Sequence, residues 1–143
     1  MPEPTTGTFA DPAVRRFLQA PERFATIATV GADGTPHQAV VWFLVREDAI
    51  VVNSKIGRRW PTDLLRDPRV SLTVEAAYDY VILAGQVEPV EDQAVAQADI
   101  AEMARRYNSP EAAEHQIRTF AAQQRISFRL RPTHVAVHGD LDE

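Results

Sequence analysis

Short strand-like segments separated by turns fill residues 24–90, and this succession restricts the fold more than any other feature of the chain. Residues 24–30 are rich in β-branched side chains, and the Gly-Ala-Asp-Gly turn that follows supplies the glycines of a tight hairpin. A second strand begins near Pro36. Its continuation, residues 39–45, is almost entirely apolar, which predicts that both of its faces are covered, as in a barrel wall packed against a partner.

The other elements follow from hydrophobic periodicity and from the positions of glycine and proline. They are strands at residues 49–53, 70–74, 80–87, 126–131 and 135–137, and helices at residues 13–19, 61–66, 91–107 and 110–124. This order predicts a mainly β, α+β architecture: an antiparallel β-barrel of six to seven strands with short flanking helices. A length of 143 residues suits a single domain, of which residues 1–10 are expected to be a flexible N-terminal tail.

Composition and charge argue against several classes of function. The chain is 45% hydrophobic and 24% charged, and no apolar run approaches the roughly 20 residues of a membrane-spanning helix. Its net charge of −5 argues against sequence-independent binding to nucleic acid, which requires an electropositive surface. It has no cysteine, and its N-terminus lacks the basic and apolar segments of a secretory signal. We therefore expect a soluble, cytoplasmic protein with no membrane or nucleic-acid partner.

One segment of this acidic chain is distinctly basic. Residues 55–69 contain the chain's only lysine and four arginines against two aspartates. Within it, the basic turn, residues 53–60, joins a predicted strand to a predicted helix. The unpaired N–H groups and the positive dipole end of a helix N-terminus favour an anion at such a turn.

The side chains of the basic turn indicate which anion it would bind. Arg58 and Arg59 carry guanidinium groups that match pairs of phosphate oxygens, and Ser54 carries a hydroxyl that can donate to the same group. The alternative is a solvated charged turn whose arginines pair with acidic neighbours, namely Glu47, Asp48 or Asp63. The charges alone leave both interpretations open.

The chain lacks the sequence patterns of the common catalytic sites. It contains no cysteine nucleophile, no Gly-x-Ser-x-Gly elbow, no Gly-x-Gly-x-x-Gly loop and no Walker pattern. His134 and His138 would lie on one face of a strand about 13 Å apart, too far to share a metal ion. We therefore predict no metal site, and any chemistry is expected to come from a bound cofactor.

A set of motifs within residues 20–90 resembles a known family. The motifs are IVVNS at residues 50–54, GRRW at 57–60, DLLRDPRVSL at 63–72, FATIAT at 24–29, GTPH at 34–37, VWF at 41–43 and YDY at 78–80. Their order and spacing resemble the pyridoxamine 5'-phosphate oxidase-like split β-barrel superfamily. Within it, the most similar pattern is that of the reductases that depend on the deazaflavin coenzyme F420.

The resemblance implies a homodimer in which two barrels pack side by side and the cofactor lies in a cleft lined by both chains. It implies an F420-dependent oxidoreductase that transfers a hydride between the reduced deazaflavin and a small unsaturated or conjugated organic substrate. Two alternatives stay open. One is an FMN-dependent oxidase or reductase, and the other is a non-catalytic carrier of a flavin, F420 or haem.

The resemblance also assigns the phosphate site. Arg58 matches the family's phosphate-binding arginine, whereas Trp60 stands where the family usually has a lysine. Arg59 or Lys55 would then supply the second charge, and Trp60 would pack against a ring or a neighbouring subunit. The residues expected to bind the cofactor are Gln38, Val41, Trp42, Asn53, Ser54, Lys55, Arg58, Arg59 and Trp60.

Further expected contacts involve the cofactor ring and the substrate. The resemblance places the ring over the second strand, at residues 38–43, where Trp42 is either a neighbour of the ring or a core residue. Tyr78 and Tyr80 are expected to border the substrate cavity from the partner chain, or to pack across strands. His37 is the candidate proton donor to a reduced substrate, or an exposed polar residue.

Overall fold

The computed structural model describes residues 3–142, and within this range the chain forms nine strands and four helices. The strands are β1 (Thr5–Thr6), β2 (Ala25–Val30), β3 (Pro36–Val41), β4 (Leu44–Val45), β5 (Ile50–Lys55), β6 (Arg69–Ala76), β7 (Asp79–Val90), β8 (Arg125–Leu130) and β9 (His134–His138). The helices are α1 (Pro12–Gln19), α2 (Arg59–Arg66), α3 (Gln93–Tyr107) and α4 (Pro110–Ala121). In the same range, no helix is both long and apolar enough to cross a membrane.

The strands form one curled antiparallel sheet. Seven strands follow the order β3-β2-β6-β7-β8-β5-β4, while β9 pairs with β7 and β1 pairs with β9. Strand β7 connects the two halves, because residues 79–86 pair with β6 and residues 87–90 pair with β8. Gly85 lies at this junction, where a Cβ atom would approach Thr133 Oγ1 to 3.2 Å. The predicted fold class, a mainly β, α+β antiparallel barrel with short flanking helices, is confirmed, with the curled sheet forming a half-barrel.

Inward-facing residues of the strands form the main hydrophobic core. In β2, the alternation of buried and half-buried residues places Ala25 and Ile27 in the core, as the two-residue period of a strand requires. Phe43 and Phe128 are the largest fully buried side chains. Burying each of these rings contributes about 1.5–3 kcal/mol to the stability of the fold.

Helix α3 packs on the other side of β5 and β8, and α4 packs against α3. Ile100 and Met103 of α3 form a second apolar cluster with Leu44 and Val51. Asp92 caps the helix by accepting a hydrogen bond from the backbone N–H of Ala94, as its position before the first helical turn favours. The two helices thereby cover the sheet beside the basic turn.

A buried carboxylate attaches helix α2 to the first hairpin. Asp63 is 4% exposed and accepts hydrogen bonds from Thr29 Oγ1 at 2.9 Å, His37 Nδ1 at 2.7 Å and Arg66 Nη2 at 3.0 Å. Burial raises the pKa of the Asp63 carboxyl, but the hydrogen bonds from His37, Arg66 and Thr29 together lower it below its ordinary value. The hydrogen bonds of Asp63 therefore hold α2 against β2 and β3, and with it the end of the basic turn.

The predicted second strand is interrupted. Residues 39–45 divide between β3 and β4, with a break at Trp42 and Phe43. The strand breaks here because side chains of α3 form hydrogen bonds with the backbone of Phe43. The Phe43 N–H donates to the Tyr107 hydroxyl at 3.3 Å, and the Phe43 carbonyl accepts from Arg106 Nη1. Residues on a distant helix thus replace a neighbouring strand at this point.

Residues 3–142 do not cover both faces of the second strand. Val41 is buried, with 8% of its surface exposed, whereas Val40 is 73% exposed. The described residues therefore leave the Val40 face of the strand open to solvent.

The prediction of a flexible tail over residues 1–10 is corrected in part. Thr5 and Thr6 form β1, which pairs with Val137 and Ala136, and the N–H of Gly7 donates to the Val135 carbonyl at 2.9 Å. These backbone hydrogen bonds attach residues 5–7 to the edge of the sheet. Residues 1–2 of the predicted tail lie outside the described residues.

Replacing Asp63 with asparagine is expected to lower the free energy of unfolding by about 1–3 kcal/mol at neutral pH, because it removes the charge shared by three donors. The folded-state pKa of Asp63 lies below its ordinary value of 3.8, so its stabilisation is present above that pH and declines as the pH falls through the folded pKa. Urea unfolding of both proteins at about pH 7 and about pH 3 measures the difference. An equal difference at the two pH values would contradict this role.

Candidate functional site

A cleft of about 220 Å³ opens beside the basic turn, where β3, β5 and the start of α2 meet β8 and the helices α3 and α4. Its polar wall consists of Asn53, Ser54, Arg58 and Arg125. Its apolar wall consists of Val40, Val41, Trp42, Trp60, Ile100 and Phe120. The lining contributed by residues 3–142 contains two cationic side chains but no carboxylate and no histidine, so the cleft favours an anion.

Arg125 is buried, and no carboxylate among residues 3–142 pairs with it. It is 4% exposed; its Nε donates to Asn53 Oδ1 at 3.0 Å and its Nη1 donates to Gln123 Oε1 at 2.7 Å. The guanidinium carbon lies 4.7 Å from the centroid of the Phe120 ring. Burial, with a smaller contribution from the charge of Arg58, lowers the pKa of Arg125 to about 10. The side chain is therefore still charged at neutral pH, although every partner it has among residues 3–142 is neutral.

Arg58 supplies the second charge of the cleft. It is the N-cap residue of α2, and its carbonyl accepts hydrogen bonds from both the backbone N–H and the hydroxyl of Thr62. Its side chain is exposed at the edge of the cleft. None of the ion pairs formed between residues 3 and 142 involves Arg58, Arg59 or Lys55.

The alternative interpretation, in which the turn arginines pair with acidic neighbours, is therefore wrong for the described residues. Asp63 binds His37 and Arg66, and Asp48 binds Arg131 at 3.1 Å. Neither carboxylate neutralises the basic turn.

Asn53 and Ser54, near the end of β5, complete the polar wall. Both are buried. The amide nitrogen of Asn53 donates to the Ala96 carbonyl and to Ser127 Oγ, each at 2.9 Å, so that its oxygen is directed to Arg125. The hydroxyl of Ser54 donates to the Lys55 carbonyl at 3.2 Å, a long hydrogen bond that a stronger acceptor in the cleft could replace.

The two tryptophans of the apolar wall are packed by the chain itself. Trp42 stacks on Tyr107, with centroids 5.2 Å apart and planes 9° apart, and meets Phe120 edge to face at 6.5 Å. Trp60 is 9% exposed and packs against Phe128 in the main core, at a centroid distance of 5.9 Å. At the position where the resemblance implies a lysine, this chain therefore has a core residue.

Six of the nine residues predicted to bind the cofactor line the cleft together: Val41, Trp42, Asn53, Ser54, Arg58 and Trp60. The other three, Gln38, Lys55 and Arg59, are exposed and do not line it. The second cation of the cleft is thus Arg125, rather than Arg59 or Lys55.

The remaining predicted site residues lie elsewhere in this chain. His37 is bound to Asp63, so it is neither in the cleft nor a free polar residue. Tyr78 is 85% exposed, and Tyr80 stacks on His138 with ring centroids 4.8 Å apart. None of the three predicted residues lines the cleft of its own chain.

Sequence analysis missed Arg125, Phe120 and Ile100. Arg125 begins β8, where it lies directly opposite Lys55 in the register of β5 and β8. The predicted strand began one residue later, and no local motif marks a cation that becomes buried only through pairing with a distant strand. Knowledge of that register is the one signal that would have placed Arg125 beside the basic turn.

Solved structures with the same fold cover most of the chain. The conserved hypothetical protein Rv2991 from Mycobacterium tuberculosis is 21% identical, with a TM-score of 0.73 over 96% of this chain and 89% of that one. A structure described as an F420 reductase is 22% identical, with a TM-score of 0.66 over 84% of this chain and 94% of that one. HutZ, the haem storage protein from Vibrio cholerae, is 22% identical, with a TM-score of 0.69 over 94% of this chain and 99% of that one. At these identities the likeness establishes the fold.

The family assignment comes from the sequence. No curated protein is significantly similar to this chain. The family model described as "Pyridoxamine 5'-phosphate oxidase", however, matches residues 10–138, which include every strand from β2 to β9 and both arginines of the cleft. The chain belongs to the pyridoxamine 5'-phosphate oxidase family.

Proposed function

We propose that this chain is an oxidoreductase subunit that binds a phosphate-bearing flavin or deazaflavin in the cleft, with coenzyme F420 as the first candidate. One observation carries the proposal: Arg125 is buried among neutral partners beside Arg58, which forms no ion pair with any residue from 3 to 142. A buried guanidinium requires hydrogen bonds and an opposite charge to compensate for its lost hydration. A phosphate group supplies both.

The cleft residues fit the two ends of such a cofactor. Arg58 and Arg125 would hold the phosphate, with Ser54 as a hydroxyl donor, and the apolar wall at Val41 and Trp42 would lie against the ring. The bound cofactor supplies the hydride chemistry, while the chain binds it, orients it and excludes water. Hydride transfer to a small unsaturated or conjugated substrate depends on geometry more than on a protein acid or base.

Specific observations also support two other functions. The preference for F420 rests on the GRRW motif and on residues 64–68, whereas the family's description and the presence of Arg125 as a second phosphate cation favour FMN. A non-catalytic carrier is favoured by Trp60, a core residue at the position where the resemblance implies a phosphate-binding lysine. Haem is the least suitable cargo, because this lining offers no His, Cys, Met or Tyr to ligate iron.

We also propose that a second copy of the chain completes the site. The cleft volume of about 220 Å³ is smaller than the roughly 300–1,000 Å³ of typical ligand pockets, so one chain encloses only part of a flavin. Val40, in the lining of the cleft, is 73% exposed. A partner packed on this face of β3 would bury Val40 and close the cleft.

Titration of the purified protein with F420, FMN and haem separates the proposed functions. We expect F420 to bind with a micromolar or lower Kd, and its reduced form to be reoxidised by a member of a panel of enones and quinones. Micromolar FMN affinity without F420 binding would replace F420 by FMN, and F420 binding without turnover would favour the carrier. If none of the three ligands binds or raises the melting temperature, the cofactor proposal is refuted.

Removing either arginine of the cleft is expected to weaken the cofactor that binds. Arg58→Ala and Arg125→Met should each cost about 1.5–3 kcal/mol of binding free energy, the contribution of a charge-assisted hydrogen bond. Arg59→Ala is the matched control, because it removes a charge from the same turn outside the cleft and should change Kd by less than about threefold. Calorimetric titration measures all three; an effect of Arg59→Ala as large as that of Arg58→Ala would show that overall charge, not the cleft, binds the ligand.

Introducing a charge on the exposed face of β3 is expected to prevent dimer formation. Val40→Asp would place a carboxylate in the proposed interface, whereas Leu65→Asp alters an apolar residue of α2 that is 50% exposed and lies outside the cleft. Light scattering should give a dimeric mass for the wild type and for the Leu65 variant, and a monomeric mass for the Val40 variant. A monomeric wild type that binds the cofactor at full stoichiometry would contradict the shared site.

A further inference from the structure

Behind the polar wall of the cleft, a chain of hydrogen bonds connects Arg125 to a buried carboxylate. Arg125 Nε donates to Asn53 Oδ1 at 3.0 Å, Asn53 Nδ2 donates to Ser127 Oγ at 2.9 Å, and Ser127 Oγ donates to Asp99 Oδ2 at 2.7 Å. All four side chains, which we call the Asp99 relay, are buried. Asn53 and Arg125 line the cleft, whereas Ser127 and Asp99 do not.

Asp99 determines the direction of each hydrogen bond in the relay. A carboxylate only accepts, so Ser127 has to use its single proton on Asp99. The Ser127 oxygen is then left as an acceptor, which selects the nitrogen of the Asn53 amide and turns the amide oxygen toward Arg125. The Ala96 carbonyl accepts from the same amide nitrogen and supports this orientation.

The negative charge of Asp99 is balanced on the side away from the cleft. Its Oδ1 accepts from Arg46 Nη2 at 3.0 Å, and Arg46 Nη1 donates to Glu102 at 2.7 Å. Arg125 therefore contacts a neutral amide oxygen instead of a carboxylate. A carboxylate in direct contact would compete with a ligand for the guanidinium, whereas the relay fixes the guanidinium and leaves its charge available.

We propose that Asp99 is a positioning residue of the anion site: through Ser127 and Asn53, it orients the guanidinium of Arg125 for the phosphate group of the ligand. This inference rests on the proposed binding of a phosphate-bearing cofactor, and it adds a determinant that touches neither the cleft nor the ligand. Loss of the relay is therefore expected to weaken the interaction of Arg125 with the phosphate of the ligand, and to leave the contact between the cleft and the ring of the ligand unchanged.

Ser127→Ala tests the proposal, because it breaks the relay without adding a new group. The ligands are FMN and riboflavin, which differ only in the phosphate, or F420 and 8-hydroxy-5-deazariboflavin if only the deazaflavin binds. We expect Ser127→Ala to weaken the phosphate-bearing ligand about three- to tenfold and its phosphate-free counterpart by less than about twofold. Asp99→Asn should act in the same direction, since an amide no longer imposes the direction of the Ser127 hydrogen bond.

Thr133→Val is the matched control. It deletes a hydroxyl that donates to the backbone carbonyl of Ala84 at 3.4 Å, and Thr133 neither lines the cleft nor forms a hydrogen bond with a residue of the Asp99 relay. Its ratio of phosphate-bearing to phosphate-free affinity should equal that of the wild type, even if its melting temperature falls. Equal loss of both ligands in the Ser127 variant would mean that the relay is only structural, and would overturn the proposal.

A double-mutant cycle shows whether the effect passes through Arg125. In an Arg125→Met background, Ser127→Ala should change the affinity for the phosphate-bearing ligand by less than about twofold. A loss as large as in the wild-type background would overturn the proposal. Should Ser127→Ala fail to melt cooperatively, Asp99→Asn takes its place in the cycle.

Measuring the affinity for inorganic phosphate distinguishes failure of the inference from failure of the proposed function. A wild-type protein that binds none of the flavins or deazaflavins refutes the proposed function. Phosphate affinity that falls in both Arg125→Met and Ser127→Ala would still support the relay. Phosphate affinity that is undetectable, or unchanged in Ser127→Ala, would overturn it.

Discussion

The cleft depends on one interaction, the burial of the Arg125 guanidinium among neutral partners. Removing an ion from water costs several kcal/mol even after the surroundings relax. Asn53, Gln123 and the face of Phe120 offset part of this cost, but none of them carries an opposite charge. In the proposed function, a ligand supplies the balancing charge. Arg58 increases the need for it, because its own charge also lowers the pKa of Arg125. A ligand that supplies this charge should therefore stabilise the fold as it binds.

The fold brings these charges together through strand register and one buried carboxylate. Pairing of β5 with β8 places Arg125 opposite Lys55, at the point where the chain leaves the sheet for α2. Asp63 holds α2 against the first hairpin. Helix α3 then covers β5 and β8, α4 packs against α3, and the two helices contribute Ile100 and Phe120 to the apolar wall. The site is thus assembled from segments far apart in the chain.

Features that depend on residues close together in the sequence could be predicted. Features that depend on contacts between residues far apart in the chain could not. The hairpin turn after β2 and the periodic helices α3 and α4 are local patterns, and the basic turn is a local excess of charge. The break at Phe43 depends instead on Arg106 and Tyr107, which reach it from α3. Likewise, nothing near His37 in the sequence shows that Asp63 binds it.

The same limit explains why the sequence indicates only one of the two arginines of the cleft. Arg58 was recognised because its neighbours form a motif, whereas Arg125 enters the cleft only through the register of β8. The sequence predicts that Trp60 packs against a ring or a neighbouring subunit, but it does not show the contact with Phe128, which belongs to that same distant strand. That the described lining of the cleft combines two arginines with no carboxylate is visible only after the sheet is assembled.

A crystal structure of the protein with its tightest-binding flavin or deazaflavin tests the central claim most directly. The account predicts that phosphate oxygens lie within about 3 Å of guanidinium nitrogens of both Arg58 and Arg125, with the ring against the apolar wall. A phosphate bound elsewhere, with the Arg125 guanidinium still contacting only Asn53, Gln123 and Phe120, would contradict it.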